Sequence, residues 1–434
     1  MNKSDLIIIG SGPGGYRAAE YAAQNGLSVI MIEKDHIGGT CLNEGCIPTK
    51  TLCHHATLID TLMNSKEYGL GELSYHLDFP KIMERKESVI SQLRNGIEIL
   101  MQQSGVTVVI GEARFKDEHT VSVGEEEYTA KNIIIATGSH AKMPPIEGIN
   151  SDVVITSREL LDIHEIPKRL CIVGAGVIGM EFASVFSSFG SEVTVIEFLK
   201  ESLPVLDSDI AKRLRQTLAK RGVNFNMQSA VKKISGHTVM FERKGKMEQI
   251  EADLVLISTG REANTDGLHL EKISIGNDHT GIKVDENMQT NIPGIYAVGD
   301  VNGKCMLAHA ATAQGIRAVN HLLGKHDHIR FNIVPSAIFT NPEAACVGIS
   351  EDQCKANGID YICKKGYYRS NGKALAMNET EGLLKLISNH EGKIIGCHAF
   401  GAHTADIIQE VSVLMCKNAT VDELKDMIHT HPTF

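Results

Sequence analysis

Short, almost wholly apolar runs alternate along this chain with glycine turns and helical patterns. The first run, Leu6-Ile7-Ile8-Ile9, has strand length and leads directly into Gly10, too short for a membrane span or a secretory core. Unbroken apolarity of that length is what a strand buried on both faces of a parallel sheet requires. Residues 5–35 and 169–199 repeat one plan: buried strand, glycine turn, helix, second strand. Gly10, Gly12 and Gly15 match Gly174, Gly176 and Gly179, Gly26 matches Gly190, and Glu33 and Glu197 close the second strands at the same offset. Each unit is followed by an apolar strand ending in Thr-Gly, at Thr137-Gly138 and Thr259-Gly260. A third such stretch, 291–300, ends in Gly299-Asp300 and suggests that the chain re-enters its first domain. Between the repeats, Ile82, Met83, Ile90, Leu93, Ile97, Leu100 and Met101 recur at helical spacing, a packing face. From Pro335 the pattern changes to short strands, at 336–340 and 383–387, and a helix near 405–417, which predicts a separate C-terminal domain.

Composition narrows the class. At roughly 150 residues per domain, 434 residues predict about three units. Hydrophobic residues at 42% and charged residues at 22% fit a soluble globular chain rather than a disordered or membrane one. A net charge of −10 argues against nucleic acid or an anionic membrane as the main partner. Ten cysteines, most of them isolated, are too sparse for a secreted disulfide scaffold, so a reducing, cytoplasmic setting is expected.

The glycine turns carry the first chemistry. In such a turn the first glycine bends the chain tightly, the second lets backbone approach a pyrophosphate, and the third lets helix and strand pack closely. Phosphates then sit at the helix N-terminus, and an acid closing the next strand accepts from a ribose 2′-hydroxyl. Glu197 would repel a 2′-phosphate and so favours NAD over NADP, with Lys200 tempering the preference. One such motif is weak; two with matching strand context and acid imply two dinucleotide sites in an α/β fold with two Rossmann-like domains.

Cys41 and Cys46 stand in GGTCLNEGCIPTK, shortly after Glu33. On a helical turn their spacing puts both side chains on one face, within reach of a disulfide if the backbone allows it. A pair of core cysteines or half a metal site would look the same, although no second closely spaced pair completes a zinc set, and no metal is expected.

Taken together, residues 10–15 with Glu33, the cysteine motif 38–50, 136–139, 174–181, 194–199, 259–261, 297–300, 307–309 and 429–433 make the chain resemble the class I pyridine nucleotide-disulfide oxidoreductases, most similar to the dihydrolipoyl dehydrogenases. The resemblance implies an FAD-binding domain (1–145), an NAD-binding domain (146–266), a central segment returning to the first (267–334) and a C-terminal α+β dimerisation domain (335–434). It implies FAD held by Gly10, Gly12, Gly14, Gly15, Glu33, Lys34, Gly39, Thr40, Lys50, Ala136, Thr137, Gly138, Asp300, Met306, Leu307, Ala308 and His309. It implies NAD held by Gly174, Gly176, Val177, Ile178, Glu181, Glu197 and Gly260. Cys41 and Cys46 would form the redox-active disulfide, with Cys41 as the interchange sulfur, and Lys50 and Glu181 would pair near the flavin. His431, supplied across a homodimer interface, would serve as acid and base toward the substrate thiol, and His429 fits only as its neighbour.

The implied activity is oxidation of a lipoyl group carried by a 2-oxo acid dehydrogenase or glycine-cleavage complex, with reduction of NAD⁺. The family's partner acid for the histidine is expected two positions beyond Phe434, and a terminal helix usually follows, so either the tail is truncated or the carboxylate that orients the imidazole is lacking. A related disulfide reductase or a catalytically idle flavin-binding subunit are the alternatives. A glutathione-type enzyme would carry basic residues after Glu197, where Phe198-Leu199 stand, and a mercuric-type enzyme a further cysteine pair after Cys416.

Overall fold

A computed structural model describes residues 2–71 and 73–434. Its first helices are α1 (Pro13–Gln24), α2 (Gly39–Asn43), α3 (Cys46–Met63), α4 (Phe79–Gln103), α5 (Ser157–Leu160) and α6 (Val177–Ser188). They are followed by α7 (Ser208–Lys220), α8 (Ala308–Leu322), α9 (Glu351–Asn357), α10 (Gly372–Ala376), α11 (Thr404–Cys416) and α12 (Val421–Lys425). Among the described residues no helix is long and apolar enough to cross a membrane. The chain is α/β, and its contacts divide it into two units.

The first unit comprises Met1–Thr51, Met83–Lys142 and Gly260–Ile329. Its sheet places the parallel strands Thr107–Ile110, Val29–Glu33, Asn2–Ile9 and Glu126–Ile135 side by side. Strand Ile295–Ala297 adds beside Ile133, Ile134 and Ile135, so the third apolar run does return to this sheet. Leu6, Ile7, Ile8, Ile133, Ile134 and Ile135 are each 0% exposed, which is why these runs lack polar alternation. Contact of α1 with α8 is close because both carry glycine: a methyl group on Gly315 would lie 2.6 Å from the Gly14 carbonyl oxygen.

The second unit comprises Leu52–Ile82, Met143–Thr259 and Arg330–Phe434. It repeats the plan with a parallel sheet ordered Asn224–Met227, Glu192–Glu197, Arg169–Val173, Leu254–Ile257, Val154–Ile155. The C-terminal part is a five-stranded antiparallel sheet, ordered Ser336–Ile338, Ala344–Gly348, Ile394–Phe400, Leu383–Ser388, Ile362–Tyr367. Helix α11 covers one face of it, burying Ile408, Val411, Leu414 and Met415 against Val347 and Cys397.

On this unit α7 and α9 cap one another. The Asp207 carboxylate accepts from the Glu351 N–H at 3.2 Å, and the Asp352 carboxylate accepts from the Ser208 N–H at 2.7 Å. Lys385, 2% exposed, neutralises the junction, with Nζ 2.6 Å from Asp207 and 2.5 Å from Glu351.

Candidate active site

The two glycine turns are built alike to the level of single atoms. Gly10 and Gly174 have φ of +101° and +107°, the left-handed region that glycine enters without steric penalty. A Cβ on Gly15 would lie 1.9 Å from the Gly10 carbonyl oxygen, and one on Gly179 would lie 2.1 Å from that of Gly174, so neither helix could pack as it does with any larger residue. At Gly12 and Gly176, by contrast, a Cβ would meet open space. These two residues are the N-caps of α1 and α6, and neither helix has a side-chain cap. A helix N-terminus with no side-chain cap, and a glycine with room beside it, suit a pyrophosphate. Val177 and Ile178 form the first turn of α6 beside them.

Both acids do something the sequence reading missed. Glu33 Oε2 accepts from the Ser11 N–H at 2.9 Å and Oε1 accepts from the Asp35 N–H at 2.9 Å. Glu197 repeats this, accepting from the Ala175 N–H at 2.5 Å and from the Leu199 N–H at 2.7 Å. Each carboxylate, 7% or 8% exposed, ties the glycine turn to the strand end beside it. The equal separation of 22 residues in the two repeats was the available signal. Lys34, next in sequence, is exposed.

The cysteine pair departs from the expected single helical turn. Cys41 lies in α2, Cys46 opens α3, and the chain breaks between them. A side chain at Gly45 would lie 2.9 Å from the Thr40 carbonyl oxygen, so glycine is what lets the two helices close on each other. Cys41 is hydrogen-bonded to Cys46, and this bond, together with burial, pushes its thiol far above the ordinary range, against the pull of the Lys50 ammonium. Two adjacent sulfurs cannot both ionise readily, so the reduced pair holds on to one proton. Gly39 sits close to the first glycine turn: its Cβ would meet the Gly12 Cα at 2.6 Å. Thr40 is half-buried beside it.

Three distant turns converge in the same unit. Ser139 Oγ donates to Asp300 Oδ2 at 2.6 Å, and Arg261 Nε donates to Ser139 Oγ at 2.7 Å. Thr137 Oγ1 donates to the Asn264 carbonyl at 2.7 Å. Ala136 is buried, and its carbonyl oxygen is the atom that a Cβ on Gly10 would strike at 2.4 Å. Gly138 and Gly260 take positive φ, and the Gly260 carbonyl accepts from the Lys142 N–H at 3.0 Å, which groups Gly260 with the first unit. Leu307 is the N-cap of α8, with no side-chain cap; Met306 precedes it, and Ala308 and His309 begin the helix. No role for Ser139 or Arg261 is legible in the sequence, because only the fold brings them to Asp300.

In the second unit Glu181 lies on α6, 3% exposed, and Oε1 accepts from the Phe339 N–H at 2.9 Å. His431 is exposed, while His429 is engaged with Glu410, their Nε2 and Oε1 atoms 2.6 Å apart.

Residues 4–315 match the pyridine nucleotide-disulphide oxidoreductase family, and residues 334–434 match the dimerisation domain of the same family. The chain is 39% identical over 447 residues to a mitochondrial dihydrolipoyl dehydrogenase of Pisum sativum, covering 100% of this chain and 89% of that one. It is 46% identical over 335 residues to a dihydrolipoyl dehydrogenase of Acholeplasma laidlawii, covering 76% of this chain and 98% of the relative. Among solved structures it is similar to a Cu(II) complex of the HOCl-induced flavoprotein disulfide reductase RclA from Escherichia coli, with a TM-score of 0.90, 31% identity, and coverage of 100% of this chain and 97% of that one.

Proposed function

The chain belongs to the pyridine nucleotide-disulphide oxidoreductase family, and we propose that within it the protein is an NAD-dependent dihydrolipoyl dehydrogenase, oxidising protein-bound dihydrolipoamide through Cys41 and Cys46. Its cofactors are FAD and NAD. The single observation that carries the reading is the hydrogen-bonded pair of cysteine thiols, Cys41 in α2 and Cys46 at the start of α3, with Lys50 one turn beyond Cys46. The uncapped amides and open space at Gly12 and Gly176 fit the two dinucleotides. We assign Gly10, Gly12, Gly14, Gly15, Glu33 and Asp300 to FAD, and Gly174, Gly176, Glu181 and Glu197 to NAD.

When bound, FAD relays the electron pair between the cysteines and the nicotinamide. His431 takes the proton of one substrate thiol, acting as a general base. The resulting thiolate attacks Cys41 Sγ; the Cys41–Cys46 bond breaks, and Cys46 leaves as a thiolate, favoured by the α3 N-terminus and by Lys50. The second substrate thiol then attacks its own chain's sulfur in the mixed disulfide. Lipoamide closes as a ring, and Cys41 leaves with the proton His431 had taken, while the proton of the second thiol passes to His431. The substrate loses two electrons, and the cysteine pair gains them. The elevated Cys41 thiol agrees with its fate in this reaction sequence: once released, this sulfur holds a proton. The dimerisation-domain match supports a homodimer as the source of His431, and a lipoyl-bearing 2-oxo acid dehydrogenase or glycine-cleavage complex as partner follows from the substrate.

A second reading, a reductase of some other disulfide, is favoured by the likeness to RclA over the whole chain. The test is NAD⁺ reduction by dihydrolipoamide on FAD-loaded protein, run beside NADH oxidation with glutathione disulfide and small aromatic disulfides. Turnover with dihydrolipoamide, lost in Cys41→Ser and Cys46→Ser, is the expected result. Turnover with another disulfide alone would transfer the assignment to the second reading.

A further inference from the structure

Beyond α12 the chain forms no further helix or strand, so the path of residues 426–434 is set by contacts of side chains and turns. Those contacts flank His431 on both sides. Upstream, His429 Nε2 lies 2.6 Å from Glu410 Oε1, and its Nδ1 lies 3.2 Å from the Met427 carbonyl oxygen. An imidazole with an acceptor at each nitrogen is suited by the doubly protonated form, and the bond to Glu410 holds the His429 pKa above its ordinary value. Downstream, Asn371 Nδ2 donates to the Thr433 carbonyl at 3.0 Å. The Phe434 ring packs on Tyr368 and His403, with centroids 5.3 Å and 4.9 Å away. Between the anchors, Thr433 Oγ1 donates to the Thr430 carbonyl at 2.9 Å, which draws in the turn that carries His431. His431 itself is exposed at that turn.

The anchors sit on firm supports. Glu410 lies in the middle of α11, whose other face is packed on the C-terminal sheet, and His403 is the N-cap of the same helix. Tyr368 is 6% exposed, and its hydroxyl donates to the Ala402 carbonyl at 2.9 Å.

We propose that Glu410 is a positioning residue for the thiol chemistry: through His429 it fixes the upstream end of the segment whose downstream end is held by Asn371, Tyr368 and His403, and so it fixes where His431 is presented. The assignment rests on the reading of His431 as the acid and base. It gives His429 a task that the sequence motif alone does not disclose. Since both partners of the pair are about half exposed, with side-chain exposures of 47% and 49%, their contact adds little to global stability, and its loss should be felt locally.

The test uses the FAD-loaded full chain with Glu410→Gln, Glu410→Asp and, as reference, His431→Gln. Two reactions are compared: NAD⁺ reduction by dihydrolipoamide, which needs the base, and NADH oxidation by ferricyanide, which takes electrons without a substrate thiol. Glu410→Gln is expected to lower kcat of the first by roughly tenfold, as slight misplacement of a reacting group does. Ferricyanide turnover, Tm and sedimentation should stay unchanged, and Glu410→Asp should recover most of the rate. Wild-type thiol turnover in Glu410→Gln, with His431→Gln impaired, would overturn the positioning role while leaving the base intact. Loss of both reactions or of the dimer in Glu410→Gln would overturn it too, marking Glu410 as structural. An unimpaired His431→Gln would instead sink the base assignment, and this proposal with it.

Discussion

At the scale of single residues, the chemistry depends on how unequal environments treat identical groups. Cys41 is hydrogen-bonded to Cys46 near Lys50, whereas burial alone pushes the Cys171 and Cys346 thiols up to about 12 and leaves them inert. Histidines divide the same way. The bond to Glu410 raises the His429 pKa, while burial lowers the His398 pKa from 6.5 to about 4. His398 Nδ1 also accepts from the Asp207 N–H at 3.0 Å, a bond that protonation of that nitrogen would destroy. The sign of its contribution follows. As pH falls from 6.5 toward about 4 the unfolded chain binds a proton at this imidazole and the folded chain does not, so folding loses stability across that window and levels off below it. The loss is on the order of 3 kcal/mol. Thermal unfolding followed across the window should show a decline that is flatter in His398→Asn, which retains an acceptor and cannot titrate. Equal slopes in the two proteins would refute this account.

Among the elements, the glycine turns are where sequence and structure correspond most directly. Turn, helix start and strand end lie within about 25 residues of one another, so local sterics decide them. Gly15→Ala and Gly179→Ala therefore separate the two dinucleotide sites. Each added methyl would strike a backbone carbonyl, 1.9 Å away in the first case and 2.1 Å in the second, and would push the helix start away from its turn. Gly179→Ala should retain FAD but weaken NADH binding by at least about tenfold, as befits a site read through backbone amides. Gly15→Ala should be purified with little or no FAD. Flavin absorbance and NADH fluorescence titration measure both, and unchanged NADH affinity in Gly179→Ala would refute the assignment of the second turn. The cysteine segment was less legible at this scale. Its spacing suggests one helical turn, yet Gly45 divides it into α2 and α3, and the two sulfurs meet across that break.

For the molecule as a whole, the decisive expectation is that a working site draws on two chains. Mixing Cys46→Ser with His431→Gln subunits and allowing exchange leaves one complete site in each hybrid dimer, so activity should rise from near zero to about a quarter of wild type. A mixture that stays inactive after exchange, shown by sedimentation or tagged pull-down, would exclude a site shared across a dimer. Sequence by itself determined the α/β class, the duplicated dinucleotide plan, the apolar strands, the cysteine motif and the family, because each is written in near neighbours whose spacing obeys local geometry. Tertiary structure alone decided the rest. Asp300 reaches Ser139 across 161 positions, Asp207 caps α9 across 144, and His429 meets Glu410 on α11. Such contacts join residues whose separation along the chain carries no periodic signal, and their partners are chosen by which elements the packing of the sheets brings together.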